Sequence, residues 1–451
     1  MARTDYVTGD SISASEMNGI GSEINEKLTP SQADSLYARH GQGQIGKVAN
    51  LDTRILTNFK SGHGWTVSSA GGATVTLNDL AHPAFGKQSV KVVTGGTGAS
   101  TILTSPALPA VDRASEMPAI TVDVTEADKV ARFRLMASAD ATFTNYWTFE
   151  SVFSSSGIPE VQRPFKHNEW ARISFPWSTA QATGTPPNTG LIYWRILIND
   201  RATGPVTVYI GRQELIPAPN TIYPNGVCVI TADDSFLSHA TVLAPMLDEY
   251  GMRAVAFPID EWVGQAGKIS RDQLDELAFR KKWEIGGHAS TYAAHSQSIT
   301  GMTSAERISE LSKIKADHQQ RGYVSNAFAY PNGTIDAVSE IDLRKFFSIG
   351  RLALGRLSGG GADDQQIPVQ PFRLYGQSLG NITDPQIFGE IDRAVVNKCL
   401  LVLLVHDIVE NKVTSNDTTI AKCQATIDYL AASDIAVATF EDIRQKGLLY
   451  A

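Results

Sequence analysis

The stretch VCVITADDSF, residues 227–236, runs an apolar segment straight into two carboxylates, Asp233 and Asp234, and then an aromatic. A short apolar run of this kind, bounded by polar residues, reads as a strand buried on both faces, as in parallel sheets. The chain beyond it keeps the same rhythm. HATVLAPMLDEYG, SRDQLDELAFRKKW, TSAERISELSKIKADHQQRG and SNDTTIAKCQATIDYLAASD have helical periodicity, while RAVAFPI, EIGGH, NAFAYP, FFSIGR, CLLVLLVHD and IAVATF read as strands between them. The alternation predicts a parallel sheet or β/α barrel, whose functional groups gather at the C-terminal strand ends. Asp233, Asp234, His288, Tyr330 to Gly333, His406 and Asp407 all fall at such ends.

Upstream, PAPNTIYPNG at 217–226 is a proline-rich joint of the composition that separates domains. Residues 51–216 change to short alternating runs such as ATVTLND, AITVDVT, IYWRILIND and VTVYIGRQEL, separated by Gly, Pro, Ser and Asn. This pattern predicts an antiparallel, jelly-roll-like β-sandwich. Five of the seven tryptophans fall there, Trp65, Trp147, Trp170, Trp177 and Trp194. Most are expected in the core, although one or two exposed rings would make the sandwich a carbohydrate-binding module. Residues 1–50 carry helical periodicity in SASEMNGIGSEINEKL and SQADSLYARH but too few apolar residues for a core, so this segment is expected to attach to a partner or to itself.

A net charge of −8 gives no electrostatic reason to expect nucleic acid. The start of the chain has no basic region followed by an apolar stretch, and CLLVLLV at 399–405 is too short to span a bilayer, so neither a signal peptide nor a transmembrane segment is expected. Cys228, Cys399 and Cys423 show no metal or redox spacing and read as core residues.

An aspartate pair alone is weak, since Asp is common in loops and caps. Here strand ends also present His288 and His406, and GGHASTYAAH adds His295. One Asp with two His makes a candidate site for zinc or another divalent ion with positions left open.

These residues carry a family likeness. The segment 222–451 resembles the polysaccharide deacetylases of carbohydrate esterase family 4, metal-dependent enzymes on a distorted (β/α) barrel. TADD at 231–234 is similar to the family's Thr-Phe-Asp-Asp motif with Ala232 in place of the aromatic, which implies Asp233 as general base and Asp234 as metal ligand. EIGGHAST resembles the second motif and implies His288 as a ligand. Position 292, where the motif has its second histidine, is Tyr292, and His295 follows His288 by seven residues. That separation is about 10.5 Å along a continuous helix, so a bulged loop is needed for both to reach one ion. His295 is the preferred ligand, with His239, a water, no metal at all, or an unligated surface role for His295 as alternatives. FAYPNG at 328–333 resembles the third motif without its arginine. The resemblance implies Tyr330 and Pro331 at the substrate and the Asn332 N–H as oxyanion donor, and Arg373 is expected either to brace Asp233 or to form a surface salt bridge. LLVH at 403–406 resembles the fifth motif and implies His406 as general acid, whereas the fourth, an Asp-Trp pair, is not found. VATFEDI resembles the usual end of these domains.

GDSISASEMNGIGSEINEKL and SQADSLYAR resemble the start of minor tail proteins or tail spikes from phages of actinobacterial hosts. Together the resemblances imply a metal-dependent, zinc-favouring hydrolase on a virion tail. It would remove acetyl groups from host capsule, cell-wall glycan or peptidoglycan, attached to other tail proteins through residues 1–50 and homo-oligomeric, with a trimer expected. Two other readings are a non-catalytic glycan receptor-binding tail protein that keeps the fold, and a cellular or prophage-encoded glycan deacetylase.

Overall fold

The computed structural model describes residues 54–84, 88–151, 153, 167–217, 222–355, 365–366, 371–446 and 448. The expected helices of residues 1–50 and the linker at 41–47 lie outside them.

The described residues between 54 and 217 form two antiparallel sheets. The order in the first is Thr74–Asp79, Ser89–Val93, Thr207–Pro217, Glu116–Val124 and Ala171–Ser174, with Arg54–Thr57 also pairing with Thr207–Pro217. In the second it is Gln181–Thr183, Tyr146–Ser151, Val130–Ser138, Tyr193–Asp200, Ser100–Thr104 and Thr66–Ser69. Alternation turns one face of each sheet inward, and Val90, Val92, Ile120, Val122, Phe133, Leu135, Ile196, Ile198, Val208 and Ile210 share one core. Trp65, Trp177 and Trp194 are buried in that core, whereas Trp147 and Trp170 are half-buried.

Beyond residue 222 the described strands pair in parallel, except Gln365–Gln366, which pairs antiparallel with Cys399–Val405. Val227–Asp233 lies between Val255–Phe257 and Cys399–Val405, Val255–Phe257 pairs with Glu284–Ile285, and a bridge from Gly287 to Phe328 leads on to Ala327–Ala329. Ile349–Leu352 and Leu374–Tyr375 follow, while Gln377–Ser378 pairs with Cys399–Val405. The pairing path therefore runs in a ring that begins and ends on either side of Gly376. Every residue of Val227–Asp233 and of Cys399–Val405 is buried, which is why both read as continuous apolar runs.

Helices cover the outside of the ring. The longest, Ser304–Gln320, begins at a capping box between Thr303 and Glu306. Asp384–Asn397 and Ile420–Ala432 pack their apolar faces on the core that includes Cys228, Ile230, Leu401 and Leu403. All three cysteines are buried. Among the described residues no helix is long and apolar enough to cross a membrane.

Candidate metal and catalytic site

Asp233 closes its strand in extended conformation, but Asp234 and Ser235 both adopt positive φ, +70° and +57°. That reversal sends the neighbouring carboxylates to different partners. Asp233 faces inward, where Arg351 Nη2 donates to its Oδ2 at 2.5 Å and leaves Oδ1 buried without a partner among the described residues. Arg351 is 1% exposed and its guanidinium lies 5.3 Å from the Phe257 ring.

Asp234 faces the histidines. Its Oδ1 lies 3.4 Å from His288 Nε2 and 3.6 Å from His295 Nε2, and its Oδ2 lies 4.0 Å from His406 Nε2. One donor atom from each of Asp234, His288 and His295 falls within 4.8 Å of the others. Ligands about 2.1 Å from a tetrahedral ion stand roughly 3.4 Å apart, so the spacing suits a first-row divalent ion. Asp234 Oδ1 is buried and accepts no hydrogen bond among the described residues. His288 Nδ1 donates to Ala329 O at 2.8 Å, which fixes the tautomer and turns the Nε2 lone pair toward Asp234. The donor set and the orphaned carboxylate oxygen both fit a metal.

Burial and the close charges set the titration of the cluster. Burial pushes the Asp234 carboxyl up, yet His288 close by, with His406 and His295, outweighs it and holds it well below the ordinary range. Burial, reinforced by His288, lowers His295 to about 4, so its ring is neutral at pH 7 and can ligate. For His288, burial is overcome by Asp234 and Asp233 and the pKa rises.

The bulge that His295 needs is present. His288 follows the strand Glu284–Ile285, and the chain runs on non-helically until Tyr292–Gln297, a helix capped by the Thr291 hydroxyl. His295 sits one turn into that helix with its ring centroid 4.7 Å from that of His288. Asn332, itself at φ +57°, pins the same helix by donating from Nδ2 to His295 O and to Ser298 Oγ. His239, the alternative ligand, lies on a π-helical turn and donates from Nε2 to His406 O at 2.9 Å. Burial lowers it to about 4, so it is a neutral anchor for the His406 backbone. Ser238 adds a second anchor, donating to Asp407 Oδ1 and accepting from Ile408 N. His406 Nδ1 is buried and has no partner among the described residues.

Three expectations are corrected. Arg373 does not brace Asp233 but takes the alternative, a salt bridge, although a largely buried one: its Nε donates to Glu340 Oε2 at 2.9 Å and it also pairs with Glu169 of the sandwich, while Arg351 pairs with Asp233. Tyr330 does not face a substrate, because its ring is buried among Phe328, Phe347 and Leu352 and its hydroxyl donates to Phe372 O. Pro331 is likewise buried, in the turn that follows. Arg351 escapes sequence reasoning although FFSIGR ends an apolar strand on a charge, the same signal that exposes Asp233. Lys268 escapes it too: its Nζ donates to Asp234 O at 3.0 Å, and no local pattern links positions 34 residues apart.

The strands and helices that carry Asp233, Asp234, His288 and His295 lie within one family match. Residues 222–346 match the polysaccharide deacetylase family model. Among solved structures, the chain is similar to a deacetylase from Streptococcus pyogenes in complex with acetate, with 20% identity over 28% of this chain and a TM-score of 0.26. It spans only 55% of that structure's length. The chitin deacetylase of the fungal pathogen Colletotrichum lindemuthianum shares 16% identity over 48% of this chain and 87% of its own, with a TM-score of 0.34. A family 4 acetyl xylan esterase from Clostridium thermocellum, in complex with a cobalt ion, shares 16% over 50% and 93%, also at 0.34. The comparison with curated proteins found no match.

Proposed function

We propose that residues 222–451 are a metal-dependent hydrolase that removes acetyl groups from a polysaccharide. The carrying observation is the meeting of Asp234, His288 and His295 beside the Asp233–Arg351 pair and His406. Asp234 Oδ1 and the Nε2 atoms of His288 and His295 would hold the ion, and zinc suits this oxygen and nitrogen set. Such an ion, when bound, polarises a carbonyl and makes water more acidic.

The remaining work belongs to side chains. Arg351 occupies Asp233 Oδ2, so Oδ1 is the oxygen that receives a proton as water adds to the acetyl carbon. His406 Nε2, on the far side of Asp234, delivers a proton to the departing nitrogen or oxygen of the sugar. The Asn332 N–H is the expected donor to the developing oxyanion.

The placement of this hydrolase on a phage tail, acting on host capsule, cell-wall glycan or peptidoglycan, rests on the sequence of residues 1–50. That segment would attach to other tail proteins and trimerise, and the sandwich would hold glycan. The bare His406 Nδ1 favours the second reading, a sugar clamp without turnover. Arg351 weighs against it, because the base has the brace that the sequence lacked at Ala329.

Acetate release from acetylated host-envelope glycan, chitin oligomers and acetyl xylan separates the two. Release that is lost with a chelator and in Asp233→Ala supports the hydrolase. A folded, metal-loaded protein that binds glycan and releases nothing from any of them would be the clamp.

A further inference from the structure

We propose that Lys268 is a positioning residue that holds the Asp234 turn in its metal-binding conformation. The inference rests on the metal-site reading above and adds a residue that no motif supplies.

Asp234 and Ser235 are successive non-glycine residues at positive φ, a conformation that L side chains disfavour and that persists only where its surroundings enforce it. Backbone bonds supply part of that enforcement. Asp234 N donates to Phe257 O, Ile269 N donates to Ser235 O, and Leu237 N donates to Gly267 O. The Ser235 hydroxyl donates to Ile259 O and accepts from Ile259 N. What remains is the Asp234 carbonyl, the group whose direction changes with the turn, and Lys268 Nζ takes it at 3.0 Å.

The ammonium is itself fixed. It sits 3.6 Å from the centroid of Phe236 and 3.7 Å from that of Trp262, between two aromatic faces. Trp262 stacks on Tyr292 at 5.1 Å and 20°, and Tyr292 opens the helix that carries His295, its N–H donating to Glu261 Oε2. The Tyr292 and His295 rings lie within 12° of parallel at 6.5 Å. One ladder, Phe236, Lys268, Trp262, Tyr292, thus joins the turn of the first ligand to the helix of the third. Tyr292 occupies the position at which the sequence motif has a histidine, and in this chain it buttresses the histidine one turn later.

Electrostatics sharpen the inference. A fixed cation beside a cation site repels the metal, so on charge alone its removal would tighten binding. A positioning role predicts the opposite sign.

The test is a visible-absorption titration of the metal-free full chain with cobalt, with thermal melting as the check of folding. Lys268→Met keeps the stem and loses the charge and donors; it should weaken cobalt affinity by about tenfold or more, the size typical of lost outer-shell contacts, and broaden the ligand-field bands. Lys268→Arg, which can still stack and donate, should recover affinity to within about threefold. If Lys268→Met melts out, Trp262→Leu, which leaves the lysine and removes one face of its clamp, should show the same loss in smaller measure. Cobalt binding by Lys268→Met that equals or exceeds the native protein's overturns the proposal. A folded native protein that binds no cobalt overturns the metal reading itself.

Discussion

Asp233 and Asp234 are adjacent, and the structure gives them different partners because the chain leaves the extended conformation between them. One carboxylate is buried against Arg351 and the other is gathered with histidines. Their substitutions should therefore separate binding from turnover. Asp234→Asn should lose cobalt or zinc affinity by at least about a hundredfold, since a neutral amide replaces the one carboxylate of the proposed ligand set. Asp233→Asn should bind metal normally and lose roughly 10²–10⁴ in acetate release, the range of a general base. Metal dialysis and acetate assays on the same preparations decide it, and equal metal loss in both would sink the division of labour. Arg351→Met strands a buried carboxylate, with an expected cost of about 3–5 kcal/mol read from the denaturation midpoint. Arg373→Ala, whose partners are Glu340 and Glu169, should leave metal affinity unchanged.

At the scale of elements, what is legible in the sequence is whatever sits at the end of an apolar strand. Asp233, Asp234, His288 and His406 are readable that way, and the parallel ring puts the three strand ends that carry them on one side. The helix of His295 is harder, because the seven-residue spacing hides a non-helical stretch before Thr291 caps the next turn. Tyr330 misleads for a different reason. Its motif names the residue type but not the direction, and the ring goes inward against Gly350, whose missing side chain leaves room for the hydroxyl. Lys268 and the Arg373 to Glu169 pairing depend on tertiary approach, which no periodicity encodes. The glycines of EIGGH carry a related demand. A Cβ on Gly286 would stand 2.2 Å from Phe257 Cε1, whereas one on Gly301 would meet nothing nearer than Gln297 Cγ at 3.4 Å. Gly286→Ala should cost about 1–3 kcal/mol through overpacking and displace His288, while Gly301→Ala should stay within about 0.5 kcal/mol. Thermal melts of the two variants, with cobalt titration of the first, check this.

For the whole molecule, the site lies at one end of the ring and a buried carboxyl, Glu284, lies toward the other. Glu284 begins the strand that leads to His288; it is 2% exposed, accepts from Glu441 N at 2.8 Å through Oε2, and has no partner for Oε1 among the described residues. Burial pushes its carboxyl up to about 8, with Glu441 and Asp442 adding to the rise and backbone donors at Glu441 and Ala327 opposing it. Lys315 lies close enough to feel its charge, but donates to Ser325 O and Asn326 Oδ1. A carboxyl whose folded pKa exceeds its unfolded value favours the native state while protonated. That contribution is complete below the ordinary carboxylate range near 4.5 and drains away as pH climbs toward 8. Glu284→Gln keeps the shape and an acceptor and has no proton to lose. Its melting temperature should differ little from native at pH 5 and should exceed it by a growing margin up to pH 8, beyond which the gap levels off. A tenfold change in proton affinity is worth about 1.4 kcal/mol, so the full gap is on the order of a few kcal/mol. Melts of both proteins from pH 5 to 9 measure it directly, and a gap that stays constant across that window would mean that Glu284 is ionised in the native protein throughout.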